Sequence, residues 1–561
     1  MKHLFTLFIA LLAAAGSFAQ SGNCGAEGSN LTWSLNSSTG VLTISGNGAM
    51  ANYSYTTLEG GGYMTTAPWS EHASLLKSLV FEEGITRIGE YAFIGCIGFT
   101  GSLTIPNSVK TIERAAFYNC IGFAGSLTLG SSVETIGINA FFSAGFTGSL
   151  TIPNSVETIE NSAFRNCTGF NGNLTIGNSV ETIGESAFQA CTGFNGSLTI
   201  GNSVKTIGVG AFSNCTGFTG SLNISNSVET IGESAFYSCS GFTGSLIIPN
   251  SVKTIEAEAF QNCTGFNGSL TIGNLVETIG EYAFQNCTDF TGSLTIGNSV
   301  KTIGVGAFST CTGFTGDLTI PNSVETIGNE AFSSCTGFTG SLTIGNSVET
   351  IGNWAFAMCR GFTSIESKAA TPPVAEALAF ANVPTIPLYV PIGTVEAYEA
   401  APVWSDFDNI AESGNPIIFT VSFNSNGGTA VAPITTEYGT IAAPTPPTKD
   451  GSTFEGWFLD AGLVYEWDFD SDIVQSNITL HAKWIVVSSI SKTEANAIKV
   501  YATPQGIAVA NATAGETITV YSLSGMQIAT AQTEGSETNV AVQARGVYLV
   551  RVGNFATKVI F

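Results

Sequence analysis

Charged residues are scarce in this chain, and basic residues are the scarcest. Only 11% of the 561 residues are charged, and 18 Lys and Arg stand against 42 Asp and Glu, for a net charge of −24. A chain this acidic is repelled by phosphate backbones and by anionic lipid, so we expect no nucleic-acid partner. Partners are therefore to be sought among proteins and cell surfaces.

Motifs for catalysis and metal binding are also missing. The whole chain has three His residues, His3, His72 and His481, which lie far apart in the sequence. There is no Cys-x-x-Cys pair, no His cluster with metal-ligand spacing and no Gly-Lys-Ser/Thr phosphate loop. We therefore predict a protein that is not an enzyme and that uses no cofactor and no metal.

Long hydrophobic runs are limited to one, at the N-terminus. Leu4 to Ala15 is a 12-residue apolar run that follows the basic Lys2, and Ser17-Phe18-Ala19 matches the small-x-small cleavage pattern. Such a run is too short to span a bilayer, which takes about 20 residues. We predict a signal peptide at residues 1–19, cleavage after Ala19, and a mature chain without a transmembrane segment.

A repeat of 24 residues is what the chain has in abundance. An Ala-Phe pair marks its register, and every step between successive Phe residues is 24 residues except one of 23. A period this short and regular predicts a solenoid, in which each unit buries its apolar face only by stacking on its neighbours. The marker residues are Phe93, Phe117, Phe141, Phe164, Phe188, Phe212, Phe236, Phe260, Phe284, Phe308, Phe332 and Phe356.

One unit, Gly101 to Ala124, illustrates the expected coil. Leu103 and Ile105 alternate with polar residues, which is typical of a short half-buried strand, and a Pro-Asn-Ser turn signal follows. Ala115 to Cys120 has one turn of helix-like pattern with its apolar residues facing inward. The fold class predicted is a β-rich solenoid with short strands and a turn or short helix in each coil.

Cysteine occurs at one fixed position of the repeat, three residues after the Phe. Stacked coils place equivalent Cβ atoms about 4.8 Å apart, beyond the roughly 3.5–4.5 Å of a disulfide. We therefore predict a ladder of buried thiols that pack as small apolar residues, with Ala144 in place of Cys in the third unit. The ladder is Cys96, Cys120, Cys167, Cys191, Cys215, Cys239, Cys263, Cys287, Cys311, Cys335 and Cys359.

An Asn recurs in the turn after the first strand. We expect it to be buried and to donate hydrogen bonds to carbonyls of the next coil, because a turn leaves such groups unpaired. Its role is therefore predicted to be structural. The positions are Asn107, Asn154, Asn178, Asn202, Asn226, Asn250, Asn274, Asn298, Asn322 and Asn346.

A stripe of Thr is predicted on the outer side of the first strand. Asn223 and Ile247 interrupt it, and a slot of mixed Lys and Glu recurs next to the repeat Val. Both features are open to two interpretations, a solvated face or a binding face. The candidate binding stripe is Thr104, Thr128, Thr151, Thr175, Thr199, Thr271, Thr295, Thr319 and Thr343.

These units resemble the BspA-type leucine-rich repeat family. The Ile-Pro-Asn-Ser-Val, Thr-Ile-Gly and Ala-Phe-x-x-Cys elements carry the resemblance through twelve units within residues 78–364. Residues 20–77 and 365–414 look like its N-terminal cap and its terminating segment with a linker. The resemblance implies a curved solenoid on a bacterial surface or in a secreted protein, where family members act as adhesins.

Residues 415–485 resemble the B-repeat of internalin-B-type surface proteins. Val421 to Gly428, Thr448 to Trp457 and Ile478 to Trp484 carry the resemblance, which implies a small β-grasp-like module. Asp468, Asp470 and Asp472 are expected on one strand face. A solvated face is the favoured interpretation of these carboxylates, because no calcium-loop motif surrounds them.

After a linker at residues 486–497, residues 498–561 look like the C-terminal sorting domain of the type IX secretion pathway. Ile518 to Gly525, Gly546 to Val552 and Lys558 to Phe561 carry this resemblance, which implies a small β-sandwich. It also implies the type IX machinery as a partner, a Gram-negative source, and attachment to the outer-membrane surface or release. An ordinary Ig-like binding domain is the alternative.

Together these features predict an exported adhesin whose solenoid binds host matrix proteins, host cells or other bacteria. One alternative is a structural surface or matrix protein without a specific receptor. Another is glycan capture by the Thr stripe, although that stripe lacks the aromatic residues that stack on sugars.

Overall fold

The structure is a computed structural model. It describes residues 20–59, 62–414, 418–486, 497–522, 525–542 and 546–560. The predicted signal peptide at residues 1–19, its cleavage point after Ala19, and most of the linker predicted at residues 486–497 lie outside the described residues.

The middle of the chain is a β-solenoid, as the repeat predicts. Its largest sheet is parallel and has 14 strands, and most of these strands are a Thr-Ile pair from one coil. Equivalent residues of successive coils lie in register, so Thr111 pairs with Thr135 and Ile112 with Ile136. The strands of this Thr–Ile sheet are Gly48–Ala49, Ile85–Ile88, Thr111–Ile112, Thr135–Ile136, Thr158–Ile159, Thr182–Ile183, Thr206–Ile207, Thr230–Ile231, Thr254–Ile255, Thr278–Ile279, Thr302–Ile303, Thr326–Ile327, Thr350–Ile351 and Val374–Ala375.

A second row of strands carries the Leu-Thr pairs on another side of each coil. These strands are also parallel, but they fall into four separate sheets of two, three, three and five strands. In chain order the sheets are Leu103–Thr104 and Leu127–Thr128; Gly148–Thr151, Phe170–Thr175 and Leu198–Thr199; Leu246–Ile248, Leu270–Ile272 and Leu294–Thr295; Ser341–Ile344 with Leu318–Thr319, Ser364–Ser367, Leu388–Val390 and Ile410–Glu412.

The segment with a helix-like pattern is a series of turns, which is one of the two conformations predicted for it. Ala115 and Asn119 have left-handed backbones, with φ of 50° and 58°. The Phe117 N–H donates to the Ala140 carbonyl of the next coil at 2.7 Å, whereas the Tyr118 N–H donates to the Ala115 carbonyl of its own coil at 3.2 Å. Alternate amides therefore join successive coils, an arrangement that an α-helix excludes because it bonds all of them internally.

Two ladders of stacked Phe rings fill the interior. The rings of Phe117 and Phe141 lie 5.1 Å apart and 3° from parallel, and this stacking continues through every later coil. A second ladder contains Phe123 and Phe146, whose centroids are 4.4 Å apart. Burial of each ring contributes about 1.5–3 kcal/mol, as does each of the buried Leu, Ile and Val side chains around the ladders.

A Trp residue covers the ladder at each end. Trp69 stacks on Phe93 at 4.9 Å, and its indole N–H donates to the Ala92 carbonyl at 3.0 Å. At the other end Trp404 packs 5.3 Å from Phe380 and donates to the Pro373 carbonyl at 2.8 Å. Both Trp side chains are fully buried. The terminal coils thus do not expose their rings to water.

Phe380 shows that the stacking continues one coil past the last predicted unit, which ends at residue 364. Phe380 follows Phe356 by the same 24 residues. Its ring stacks on Phe356 at 5.4 Å and 8°. Val383, which stands where earlier coils carry Cys, packs against the same core. The sequence signal was therefore present, but the Ala-Phe-x-x-Cys element is incomplete there.

The N-terminal cap contains the hairpin that the alternating pattern predicts, since Trp33 pairs with Ile44 and Leu35 with Leu42. A short α-helix and a 3₁₀ helix lie in the terminating segment. The remaining elements up to residue 414 are Gln20–Gly25, Gly28–Asn36, Val41–Gly46, Ser78–Phe81, Tyr55–Thr57, Tyr63–Thr65, the 3₁₀ helix Ser70–Leu75, the α-helix Val395–Ala400 and the 3₁₀ helix Trp404–Asp406.

The two C-terminal regions are β-rich. A four-stranded sheet has the order Ile434–Thr436, Phe419–Asn424, Ile478–Val486 and Ser452–Phe458. The last region has two antiparallel sheets that share one buried core, which confirms the predicted sandwich. Its sheets are Lys499–Thr503, Gly506–Ala510 and Glu537–Val540; and Gln527–Gln532, Thr517–Ser522, Val547–Val552 and Phe555–Ile560.

Candidate binding faces of the solenoid

The predicted Thr stripe lies on the Leu–Thr strands, with the neighbouring Leu side chains buried beneath it. Its members are exposed, except Thr175 and Thr343, which are half-buried. Within each sheet the Thr residues of adjacent coils pair in register, as Thr104 does with Thr128. The first sheet ends at Thr128, the second at Thr199 apart from a single bridge to Asn223, and the third at Thr295. The structure therefore brings the stripe together in short groups.

A second Thr row lies on the Thr–Ile sheet. The repeat pattern predicted its Ile residues to be buried, but the Thr residues were not predicted as a candidate face. The Ile side chains point into the core, while every Thr is exposed or half-buried. Because the sheet is unbroken, these Thr residues form a single run along the solenoid. They are Thr111, Thr135, Thr158, Thr182, Thr206, Thr230, Thr254, Thr278, Thr302, Thr326 and Thr350.

The Lys and Glu slot borders this second row. Ion pairs join neighbouring coils, with Lys110 Nζ 2.9 Å from Glu134 Oε1 and Lys253 Nζ 2.8 Å from Glu229 Oε2. The hydrogen bond from Lys253 and its charge lower the pKa of the Glu229 carboxyl. A Lys205 pair with Glu181 spans 3.0 Å. The mixed charges of the slot therefore meet across coils.

Acidic residues outnumber Lys in this slot. Of eleven slot residues, four are Lys and seven are Glu. Glu157 and Glu181 occupy adjacent coils and, with Thr158, Thr182, Ser179 and Ser203, line one groove. These lining groups are carboxylates and hydroxyls, so the face presents acceptors and negative charge to a ligand.

The Asn ladder differs from its prediction in two respects. All ten side chains are exposed, and those that bond to the next coil accept rather than donate the hydrogen bond. The acceptors are Asn107, Asn154, Asn178, Asn250, Asn274 and Asn322. The Asn298 N–H donates to Asn274 Oδ1 at 3.2 Å, and the Asn274 N–H donates to Asn250 Oδ1 at 2.7 Å. The reason is geometric: at this turn the backbone N–H of the next coil points along the solenoid at the side chain. The Asn side chains thus link successive coils from the surface.

The cysteines of the repeat are free and buried, and from Cys120 to Cys359 each thiol donates to a carbonyl of the preceding coil. The Cys263 thiol donates to the Phe236 carbonyl at 3.0 Å, and the same contact recurs in other coils, as for Cys335 and Phe308. Burial raises the pKa of Cys263 to about 12. A thiol of this kind is protonated at neutral pH and is a poor nucleophile or metal ligand.

The three Asp residues of the module were predicted to lie on one strand face, but they do not. They cap a turn: Asp468 Oδ1 accepts from the Asp470 N–H at 3.0 Å, and Asp472 Oδ2 accepts from the Asp468 N–H at 2.8 Å. The Ser471 hydroxyl also donates to Asp468. Across the described parts of the chain, no three His, Cys, Asp or Glu side chains are placed to hold a metal ion.

No helix among the described residues has the length and apolar character needed to cross a bilayer. Solved leucine-rich repeat proteins of two bacteria are similar in structure. The one from Bacteroides ovatus is 23% identical, with 60% of this chain and 93% of that chain covered and a TM-score of 0.41. The one from Eubacterium ventriosum is 20% identical, with 65% of this chain and 95% of that chain covered and a TM-score of 0.35.

Two proteins of Evansella cellulosilytica, both named as membrane proteins, match short parts of the sequence. One is 44% identical over 96 residues and the other 46% over 68 residues. These matches cover 15% and 12% of this chain but 11% and 10% of those proteins. The chain therefore spans about a tenth of the length of the curated relatives it matches.

Two families match defined parts of the chain. The Listeria-Bacteroides repeat domain matches residues 419–483. The BspA type leucine-rich repeat region matches residues 71–195, 194–315, 242–363 and 314–385, which together exceed half of the 561 residues. The capped solenoid, with its repeated Thr-Ile strands and Phe ladders, therefore belongs to the BspA type leucine-rich repeat family.

Proposed function

We propose that this protein is an exported adhesin that binds matrix proteins, host cells or other bacteria through the outer surface of its solenoid. The observation that carries the proposal is the unbroken Thr–Ile sheet. Its 14 strands, spaced about 4.8 Å apart, make a regular polar surface roughly 60 Å long. Weak contacts repeated along such a surface give an avidity that a single site lacks.

The charge of this face favours a particular kind of protein ligand. Glu outnumbers Lys in the slot beside the Thr row, and the whole chain carries a net charge of −24. A complementary ligand surface therefore presents Lys and Arg side chains, and its association should slow as salt is added. The predicted stripe on the Leu–Thr strands is the second candidate face, since most of its Thr side chains are exposed, although its sheets are shorter.

Binding of the full chain to a panel of immobilised matrix proteins and whole cells tests the adhesin proposal. We expect saturable binding that is lost when the protein is heat-unfolded and that weakens between 50 and 300 mM salt, as a charge-assisted contact requires. Binding no greater than that of the unfolded control across the panel would favour the alternative, a structural surface protein without a receptor.

The flanking regions fit display outside the cell. In this proposal the signal peptide directs export, residues 498–561 direct type IX secretion across an outer membrane, and the module acts as an internalin-B-type spacer. Support comes from the sequence motifs and from the two-sheet sandwich. Removal of residues 498–561 in a Gram-negative host that has this pathway should hold the protein in the periplasm. Unchanged surface display of the truncated protein would contradict the sorting role.

Catalysis has no part in the proposal. The solenoid interior is packed with apolar side chains, and its thiols are protonated. Glycan capture by the Thr stripe remains the alternative binding function. Competition by soluble neutral sugars for the bound protein ligand separates the two, because a protein-binding face should be insensitive to them.

A further inference from the structure

Aromatic side chains cluster on the surface at the N-terminal end of the solenoid. Tyr55 and Tyr63 lie diagonally across two paired antiparallel strands of the cap, with ring centroids 5.9 Å apart. Tyr55 is 5.0 Å from Tyr91 of the first coil, and Tyr63 is 5.1 Å from Tyr118 of the second. Tyr118 in turn stacks on Phe142 of the third coil at 4.6 Å. Five rings from four parts of the chain thus meet at one place.

The four Tyr rings border a cavity of about 300 Å³ that is open to solvent. Its floor is Ala115, which occupies the position where the first coil carries Tyr91, two residues before the repeat Phe. Both residues have the same left-handed backbone, with φ of 50° and 54°. The cavity therefore exists because the second coil has a methyl group where its neighbour has a phenol ring. Its size is at the lower end of the range for ligand sites, about 300–1,000 Å³.

Two Arg side chains add charge to the cluster. Arg114 lines the cavity, and its guanidinium has no hydrogen bond or ion pair with any described residue. The adjacent Glu113 instead lies 4.0 Å from Arg87. Arg165 lies over the Phe142 ring at 5.9 Å, and its Nε is buried without a hydrogen-bond partner among the described residues. The Arg114 side chain is exposed, so its guanidinium is accessible to a ligand in the cavity.

The cavity also has hydroxyl and amide groups. Tyr55, Tyr63, Tyr91 and Tyr118 each carry a hydroxyl, and the Asn139 side chain forms part of the wall. Burial, with a hydrogen bond to the Tyr63 side chain, raises the pKa of Tyr118 to about 12, so its hydroxyl keeps its proton. The site therefore combines flat ring faces with several donors and acceptors.

We propose that this cavity, the tyrosine cleft, binds a carboxylated sugar residue, such as a uronic or sialic acid, at the end or within the chain of a glycan. The ring faces suit the C–H surface of a pyranose, and the hydroxyls and Asn139 suit its hydroxyl groups. Arg114 suits the carboxylate, because a guanidinium binds a carboxylate through two parallel hydrogen bonds. The site is separate from the Thr–Ile sheet and does not depend on the function proposed for it.

A proline-rich peptide is the other ligand that Tyr rings commonly hold, and the cleft fits it less well. Grooves for such peptides are aromatic-lined and need few polar partners. Here the floor and walls carry four hydroxyls, an amide and an unpaired guanidinium. A sugar with a carboxylate can satisfy these groups, whereas proline rings leave most of them unpaired.

Calorimetric titration of the full chain with a panel of oligosaccharides tests the proposal. The probes are trigalacturonate, a glucuronate-containing disaccharide and sialyllactose, each beside its neutral counterpart, and a proline-rich decapeptide. We expect at least one acidic sugar to bind ten-fold or more tightly than its neutral counterpart. Arg114→Gln should abolish that preference, because it removes the charge and keeps a polar side chain.

Two further variants separate loss of the site from loss of the fold. Tyr118→Ala should weaken sugar binding ten-fold or more, while Tyr237→Ala, a Tyr at the same repeat position five coils away, should not. Ala115→Tyr should fill the cavity and block binding, with Ser186→Tyr as its matched control. The repeat accepts a large residue at this position, since Tyr282 and Trp354 adopt the same left-handed backbone.

Three results would overturn the proposal. The first is absence of binding across the sugar panel, and the second is binding of the decapeptide alone. The third is sugar binding that Tyr118→Ala and Ala115→Tyr leave unchanged, since the sugar would then occupy another part of the surface. Thermal unfolding of each variant at the wild-type temperature excludes misfolding as the cause of a loss.

Discussion

The interior of the solenoid repeats far more strictly than its outer faces. Every one of the twelve predicted units has Phe at the marker position. On the outside, the stripe on the Leu–Thr strands changes to Asn223 and Ile247, and the slot beside the other Thr row alternates between Lys and Glu. A ring stacked between two rings has no freedom to change, whereas a side chain in water has. The comparison teaches that stability resides in the repeated interior and recognition in the varied exterior.

The largest effect we expect is on the interior at alkaline pH. Burial raises the pKa of Cys96 and of Cys263 to about 12, compared with about 8.5 for a free thiol. Between these values the unfolded chain loses protons that the folded coils keep, so the unfolding free energy falls as pH rises. The loss approaches about 1.4 kcal/mol per thiol for each pH unit above about 9. Denaturant titrations at pH 8, 9, 10 and 11 measure it.

The control for this prediction is already present in the chain. Ala144 occupies the Cys position of the third unit, so Cys239→Ala, Cys263→Ala and Cys287→Ala copy a residue that the coil accepts. We expect the triple variant to lose stability less steeply with pH than the wild type. An equal slope would mean that other groups cause the alkaline loss.

Truncation of one ladder ring is expected to have the next largest effect. Phe236 stacks between Phe212 and Phe260, 5.2 Å from each. Phe236→Ala should cost about 3–5 kcal/mol, because it leaves a cavity that rigid neighbours cannot close. Tyr237→Ala, one residue further on and half-buried, is the matched exterior change and should cost under about 1 kcal/mol. Chemical denaturation measures the unfolding free energy of both variants. Equal losses would contradict the distinction between interior and exterior.

Substitutions on the outer faces should change binding and leave stability nearly intact. Thr206→Lys, Thr230→Lys and Thr254→Lys together add charge and bulk to the Thr–Ile sheet. They should weaken binding of a matrix or cell ligand ten-fold or more, a loss of about 1.4 kcal/mol. Thr271→Lys, Thr295→Lys and Thr319→Lys make the same change on the Leu–Thr strands and should weaken it less than two-fold. If the triple variant on the Leu–Thr strands lost more binding than the one on the Thr–Ile sheet, the predicted stripe would be the binding face.

The Asn ladder should show a smaller effect, since it joins coils from the surface. Asn274→Ala removes the acceptor for the Asn298 N–H and should cost about 1 kcal/mol or less, because water replaces the lost bond. Asn274→Asp keeps an acceptor oxygen and should cost less. Asp317 supplies such a bond elsewhere, to the Ser341 N–H. If both variants lose the same unfolding free energy, the hydrogen bond itself contributes nothing to stability.

The smallest effect is expected from the ion pairs between coils. Lys253 and Glu229 are highly exposed, and exposed pairs are screened by water and salt. Lys253→Gln should leave the midpoint of thermal unfolding unchanged within error, with wild type in 0.5 M NaCl as the comparison. A clear decrease would show that the exterior stabilises the stack after all.

Much of the solenoid was predictable from the sequence because each unit has the same apolar residues at the same positions, and these residues must be buried. The Ala-Phe register identified the inward residues, and all of the predicted Phe and Cys positions are buried. The thirteenth Phe was overlooked although its spacing is regular. The Asn side chains were predicted to be buried because a turn leaves backbone groups unpaired, but here the turn lies at the surface and the next coil's N–H points along the solenoid at the Asn side chain.

The sequence by itself determined the coil length, the apolar interior and the family, since a strict period leaves stacking as the only way to bury the repeated side chains. Only the tertiary structure decided which Thr row is continuous, because both rows have the same period and differ in whether their backbones stay in hydrogen-bonding register. The tertiary structure also forms the tyrosine cleft. That cleft joins a cap hairpin to three coils, and residues so far apart in sequence are brought together by packing alone.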